Sequence, residues 1–428
     1  MHRNTRKSAL GAALFVPCLL LTACGSESGL ETLRPPVNPE KAQVAAHAPI
    51  HKGYAWNTTS KKLESVHYAK VDGLAIVEGD IVIGSAEEVE ARTRAVEARG
   101  GLEAGGVQAQ GIAVTGFKYW WRWPNALVPY TIDPLLPNPQ RVTAAINSWQ
   151  SSTHIRFVLR TASNATQYPN YITFRVGTGC NAPVGRDSAP GSVYLSLGCN
   201  TESIVHELGH VLGLYHEQSR NDRDAHVRIR WENILESYAA QFEKKDYSRD
   251  VLAYDYRSIM HYDSLMFSKN GEATIETLGG QLIPANSVLS AGDVASIRSI
   301  YSIDDPEFFV QQLYMDVLGR DPDENGFVHH LDLLKSCSGN QTCLDSTRVA
   351  EARSFFESAE HRQQHPELDP NSPNYKAAYI NNCYRAFLRR PQSAGDGTLW
   401  LDTLNSTGDY NLVIHGFISS AEYRSRFM

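Results

Sequence analysis

Positive charge is scarce in this chain: 40 lysines and arginines stand against 47 aspartates and glutamates, for a formal net charge of −7 over 428 residues. No basic cluster or RNA-binding signature offsets that balance, which disfavours nucleic acid as a partner. Long hydrophobic runs are lacking as well. The apolar stretch from Ala9 to Ala23 falls short of the ~20 residues that a membrane-spanning helix needs. Preceded by Arg3, Arg6 and Lys7, it reads as an export signal over residues 1–23. What the chain does hold is material for a core, with 42% of its residues hydrophobic, and its length suggests about three folding units.

Its chemistry is concentrated in His206-Glu-Leu-Gly-His-Val-Leu-Gly-Leu-Tyr-His-Glu217, which holds the spacing H-E-x-x-H-x-x-G-x-x-H. On an α-helix, His206 and His210 lie on one face, with Cβ atoms about 5–6 Å apart, close enough to share one Zn²⁺ at roughly 2.0–2.1 Å per nitrogen. Glu207 then stands beside the metal rather than on it. Asn200 or Thr201 can cap the helix, and Ile204, Leu208, Val211 and Leu212 form an apolar stripe opposite the histidines. Gly213 ends it. A left-handed conformation there turns the chain so that His216 points back as third ligand, with a fourth position open for water. The pattern predicts one zinc ion per chain.

The residues after the third histidine narrow the family. The run from His216 to Asp224 and the later Ser258-Ile-Met-His-Tyr262, with Arg122-Trp-Pro-Asn and Val128-Pro-Tyr130 upstream, resemble the astacin family of metzincin zinc endopeptidases. The resemblance covers residues from about 111 to 302. It implies that His206, His210 and His216 bind zinc, that Glu207 is the general base, and that Met260 forms the Met-turn beneath the metal. It also implies that Tyr262 is a switchable zinc ligand able to swing away and stabilise the tetrahedral transition state. Read without the family, Tyr262 is a core aromatic after a strand. Cys180 and Cys199 fall where the family closes one disulfide. Many astacins have a second bridge, from a cysteine just before an I-R-F segment to one near the end of the domain. Here His154 stands at the first place and no cysteine lies near Ser302, so that bridge is absent. His154 reads as a partly exposed polar residue rather than a metal ligand.

The end of the signal, Leu21-Thr22-Ala23-Cys24, resembles a bacterial lipobox, which implies cleavage before Cys24 and a lipid on that residue. An ordinary cleaved signal is the alternative. Either way the protein is expected to be exported, as a membrane-anchored lipoprotein or as a secreted protein, into a compartment where disulfides persist. Cys18 is lost with the signal. Of the remaining cysteines, Cys337 and Cys343 are the closest pair and the expected second bridge, although spacing alone leaves the pairing with Cys383 open.

Residues 24–110 read as a tether, to about residue 50, followed by a pro-segment. Leu74-Ala-Ile-Val-Glu-Gly-Asp-Ile-Val-Ile-Gly84 places two β-branched runs around Glu78-Gly79-Asp80, a hairpin or bulged strand with its turn at the glycine. Astacin pro-segments carry an F-x-G-D motif whose aspartate ligates zinc and displaces the catalytic water. The resemblance therefore implies Asp80 as zinc ligand in the latent form only, with Val77 in place of the phenylalanine. From Glu87 to Gly116 the composition shifts to Ala, Glu, Gly and Arg. The early part suits a helix, and the Gly-rich end reads as an exposed linker where an activating cut near residues 100 to 116 would fall.

Residues 111–303 are expected to form an α+β, two-lobed metzincin peptidase domain, with a twisted sheet and the active-site helix above and a less regular lobe below. Val142 to Trp149 reads as a helix of this domain and Tyr171 to Val176 as a strand. Residues 304–428 are expected to be all-α. They hold two related copies, in which Leu313-Tyr314, Leu318-Gly-Arg320 and Gly326 recur as Cys383-Tyr384, Leu388-Arg-Arg390 and Gly397. The repeat resembles a bacterial domain family of unknown function. In that alignment Cys383 takes the core place of Leu313 and is expected to be a buried free thiol. Asp321 to Gly326 lacks the full calcium-loop spacing and reads as a turn between helices.

These features predict a zinc-dependent endopeptidase that hydrolyses peptide bonds with a metal-activated water and is made as an exported, latent precursor. Its expected partners are protein or peptide substrates and, through the lipid on Cys24, a membrane. The alternative is a surface binding or adhesion lipoprotein whose peptidase fold is blocked.

Overall fold

The computed structural model describes residues 48–57, 62–98, 121–186, 190–245 and 248–428. The expected signal 1–23, Cys24, most of the tether and the Gly-rich stretch to Gly116 lie outside the described residues. Among those described, no helix is long and apolar enough to cross a membrane.

The first body is a four-stranded antiparallel meander, β1 (Ile50–Asn57), β2 (Lys62–Val71), β3 (Leu74–Val77) and β4 (Ile81–Ser85), backed by helix α1 (Ala86–Glu97). Asp72 and Gly73 join β2 to β3 with φ of 51° and 78°, the paired positive φ of a two-residue hairpin turn that matches strand twist. Ser85 caps α1 in a reciprocal capping box with Glu88. Tyr68, Ala75, Val77, Ile81, Ala86 and Val89 form its core. The hairpin and the helix match the sequence reading. Strands β1 and β2 do not appear in it, because lysines, glutamate and histidines interrupt their apolar alternation on the open face.

The second body is a five-stranded sheet in the order β6-β5-β7-β9-β8, built from β5 (Leu127–Ile132), β6 (Arg156–Leu159), β7 (Ile172–Val176), β8 (Cys180–Asn181) and β9 (Gly191–Leu195). All pairings are parallel except that of the short edge strand β8. Helix α2 (Gln140–Ser152) crosses from β5 to β6 and packs on α3 (Thr201–Val211), where the Trp149 indole donates to the Val205 carbonyl at 3.0 Å. After α3 the backbone turns irregular. Short 3₁₀ turns and one two-stranded ribbon, β10 (Val227–Ile229) with β11 (Ile275–Thr277), surround a small core of Tyr238, Phe242, Tyr262 and Phe267. Helix α4 (Ala291–Ile300) closes this region. Asp293 in its first turn accepts from Ser258 Oγ at 2.6 Å and from the Ile259 amide at 2.9 Å, which pins the loop before Met260.

From Pro306 onward the described residues contain helices and no strand. The duplication is visible in side-chain geometry. Arg320 lies 5.0 Å from the Tyr314 ring and donates to Glu360 at 2.6 Å; Arg390 lies 5.1 Å from the Tyr384 ring and donates to Glu422 at 2.6 Å. Leu313 and Cys383 are both fully buried, and Cys383 is a free thiol. Asp323 caps helix α5 (Glu324–Lys335), and Asp321 pairs with Arg186, so the acidic run is a turn tied to the sheet-bearing half. The helical half shares its core with that half. Trp123, Tyr301, Phe308 and Phe427 lie in one cluster, and buried Arg122 pairs with Asp305 and Glu307.

Among the described residues, disulfides join Cys180 to Cys199 and Cys337 to Cys343. His154 corrects an expectation: it is buried, only 7% exposed, with Nε2 3.3 Å from the Tyr301 carbonyl. A hydrogen bond thus joins the two regions that the missing bridge would have joined. Burial there pushes the imidazole pKa down, which favours the neutral ring.

Candidate metal centre

Helix α3 starts at Asn200, whose side chain accepts from the Ser203 amide at 2.8 Å; of the two candidate caps, Asn200 is the one used. Residues 203 to 211 are all buried, so the helix runs through the core rather than across its surface. Two glycines allow this. At Gly209 an added Cβ would lie 2.5 Å from the Met260 sulfur, so Met260 can rest directly under the helix. At Gly213, with φ of +99°, an added Cβ would lie 2.0 Å from the Trp121 ring. That left-handed turn carries the chain from the end of α3 to His216.

The structure brings His206, His210, His216 and Asp80 into one buried group, with one ligand atom from each within 4.8 Å of the others. Every imidazole has an acceptor at its outer nitrogen. His206 Nδ1 is 2.7 Å from the Ile259 carbonyl, His210 Nδ1 is 2.8 Å from the Leu214 carbonyl, and His216 Nδ1 is 2.7 Å from Glu78 Oε2. A neutral imidazole has one N–H. Placed on Nδ1, it leaves each Nε2 lone pair facing inward. His206 Nε2 and His216 Nε2 are 3.2 Å apart, and Asp80 oxygens lie 3.2, 3.6 and 3.3 Å from the Nε2 atoms of His206, His210 and His216. Acceptors converging this closely repel unless a cation lies among them. Three imidazole nitrogens and one carboxylate oxygen are a fitting donor set for Zn²⁺.

Burial raises the Asp80 pKa, but the three imidazoles outweigh it and hold the carboxyl well below the usual range. Burial is also the main reason the His210 pKa is depressed, with Asp80 opposing it. Glu207 is fully buried on the same helix. Glu217, just past the third histidine, accepts from the Asp255 amide at 2.8 Å, and burial pushes its pKa up to about 7.

Tyr262 is not in the four-residue group. Its ring centroid lies 4.6 Å from that of His216, and its hydroxyl donates to the Glu78 carbonyl. Burial, with the Asp80 charge adding to it, holds the phenol pKa well above 10, so the group is a proton donor.

Sequence reasoning missed Glu78. Besides His216, its carboxylate meets Ser219 Oγ at 3.2 Å and the Lys245 ammonium at 2.5 Å, and its amide donates to Gln241 Oε1. Glu78 adopts a left-handed φ of 53°, uncommon for this residue type, and Gly79 follows at 85°, where an added Cβ would lie 3.0 Å from the tip of the Phe267 ring. The available signal was a second acid two residues before Asp80, in a turn already read as tight. The same turn starts β4, which extends the second sheet at its edge: the Ala182 amide donates to the Asp80 carbonyl and the Val82 amide to the Ala182 carbonyl, both at 3.0 Å.

A family model described as Astacin (Peptidase family M12A) matches residues 117–302. The zinc metalloproteinase nas-6 of Caenorhabditis elegans is 40% identical over 189 residues, 42% of this chain and 54% of that protein, so the chain spans about half the length of that relative. The zinc metalloproteinase nas-4 of the same organism is 28% identical over 311 residues, 69% of this chain and 90% of that protein. Among solved structures, high choriolytic enzyme 1 of Oryzias latipes, described as a hatching enzyme zinc-protease, is similar at 31% identity and a TM-score of 0.39, covering 44% of this chain and 96% of that one.

Proposed function

We propose that residues 117–302, which match the astacin model, form an astacin-type zinc metalloproteinase domain, and that the chain is an exported zinc endopeptidase held latent by its own pro-segment. The observation that carries the reading is the convergence of three buried Nε2 atoms on one point, with Glu207 on the same helix.

In this reading His206, His210 and His216 hold the zinc. When bound, the ion supplies Lewis acidity that makes a water nucleophilic near neutral pH and polarises the scissile carbonyl. Glu207, on the same helix, would take the proton of the attacking water and return it to the leaving amine. Tyr262, kept protonated by its burial, donates a hydrogen bond to the oxyanion that develops as the carbonyl is attacked. The edge strand β8 and Ala182 offer backbone groups to align an extended peptide, as they now do for β4. Met260 and Gly209 support the helix from below.

The pro-segment blocks each of these elements. Asp80 faces all three histidines, the Glu78 carbonyl engages the Tyr262 hydroxyl, and β4 fills the sheet edge. Removing residues 24–110 by a cut near residues 100 to 116 would free all three at once. With a lipid on Cys24, the same cut would release the 111–303 peptidase region and the 304–428 helical region from the membrane. An adhesion protein with a permanently blocked site would need neither Glu207 nor Tyr262.

The test is hydrolysis of an unstructured protein by the full chain after limited proteolysis, with and without a chelator. Activity should vanish with the chelator, return with zinc and be absent from Glu207→Ala. Activity surviving in Glu207→Ala would overturn the assignment.

A further inference from the structure

The last carbonyls of a helix find no partner within it and must be met from elsewhere. At the end of α3 distant residues supply the partners. The His210 carbonyl accepts from the Gly185 amide at 2.8 Å, the Val211 carbonyl from the Trp123 indole at 2.8 Å, and the Leu212 carbonyl from the Tyr301 hydroxyl at 3.2 Å. The Trp121 ring packs on the Gly213 turn that follows. This end of the helix sets the place of two metal-facing imidazoles: His210 is in its last turn, and the Gly213 turn leads to His216.

The strip that meets these carbonyls is itself held by the helical half. The Arg122 guanidinium lies 4.2 Å from the Trp121 ring and pairs with Asp305 and Glu307, while the Arg122 carbonyl accepts from Gln311 Nε2 at 2.8 Å. The Arg186 amide donates to the Trp121 carbonyl at 2.6 Å, and both ends of its guanidinium fork meet the Asp321 carboxylate. We propose that the 304–428 region is a working part of the metal centre: Asp321 and Glu307 hold Arg186 and Arg122 as positioning residues, and these fix the end of α3 that places His210 and His216. The proposal rests on the zinc reading of the three histidines and assigns the helical half a role in it.

Cohesion alone does not account for these two arginines. Trp123, Tyr301, Phe308 and Phe427 already join the halves in one apolar cluster. Arg122 and Arg186 are almost fully buried, and a buried ion pair adds little stability over apolar packing of the same volume. What a two-pronged guanidinium–carboxylate pair adds is fixed orientation. Both pairs deliver that orientation to one place, the backbone of residues 121 and 122 beside the Gly213 turn.

The test compares three full-chain variants with the parent. Asp321→Asn removes the charge facing Arg186 at a side chain 32% exposed, Asp321→Glu keeps it, and Arg390→Gln breaks pairs with Asp396 and Glu422 inside the helical half. In competition with a chromophoric chelator, Asp321→Asn should bind zinc about tenfold more weakly, and its cobalt-loaded form should show an altered ligand-field spectrum. Asp321→Glu should match the parent in both, and Arg390→Gln should lower the melting temperature while moving neither. Unchanged zinc affinity in Asp321→Asn, or an equal loss in Arg390→Gln, overturns the positioning role. Hydrogen exchange on the metal-free chain separates this role from the zinc reading. The amides of Leu212, Gly213 and Leu214, all bonded within the turn, should exchange about tenfold faster in Asp321→Asn and at the parent rate in Arg390→Gln. Failure of the parent to bind zinc overturns the metal reading, and the exchange rates then decide whether the helical half holds the end of α3.

Discussion

The sulfur of Met260 sits where a side chain at Gly209 would begin, with only 2.5 Å to the position of a Cβ. The two residues are 51 positions apart in sequence, and their contact sets how closely the loop at Met260 approaches the helix bearing His206 and His210. Gly209→Ala should therefore be destabilising although alanine favours a helix by about 1 kcal/mol. Overpacking of a buried contact costs about 1–3 kcal/mol, and Met260 is too enclosed to yield freely. A lowered melting temperature and reduced zinc content are expected; unchanged values would show that the sulfur moves aside at no cost.

Asp80 faces all three histidines and is buried with them. Asp80→Ala in the unprocessed precursor should raise basal peptide hydrolysis at least tenfold, measured before any cut in the 100 to 116 region. Asp80→Asn should give a smaller rise, since an amide oxygen is a weaker partner for a cation. A precursor equally inactive in all three forms would leave the Glu78-Gly79-Asp80 turn as a hairpin only.

Tyr262 donates through its hydroxyl and packs its ring near His216. Removal of the hydroxyl alone separates the two roles. Tyr262→Phe in the processed protein should retain zinc and lower kcat by about 10²–10³, the typical cost of losing one oxyanion donor, with little change in KM. Loss of zinc instead would assign the residue to support of His216.

Two buried histidines away from the centre should make stability depend on pH. Burial pushes His154 below its usual pKa and His361 down to about 4, with His365 a second contributor at His361. The unfolded chain binds these protons first. Stability is therefore fully present above about pH 6.5 and is lost as pH falls from there toward 4. Melting temperature measured from pH 7 to pH 4.5 should decline less steeply in His361→Phe than in the parent, and an identical slope would remove His361 as a contributor.

The metal-binding helix was legible because its geometry is local: an i, i+4 histidine pair, a cap at Asn200 and a left-handed glycine follow from backbone periodicity within a few residues. The cysteine pair 180 and 199 and the repeat in the C-terminal half were legible for related reasons, since motif order and self-similarity survive in a single chain.

Other features depended on contacts between distant segments. No local pattern reveals that Glu78 would meet Lys245 across 167 positions, that His154 would be sealed against Tyr301, or that the helical half would share one core with the sheet-bearing half. Residue type and short-range spacing were enough to mark the three histidines and Glu207 as groups suited to holding zinc and moving a proton. Tertiary structure alone decided which groups stand around them, because burial and ion pairing arise only when segments remote in the chain exclude water together.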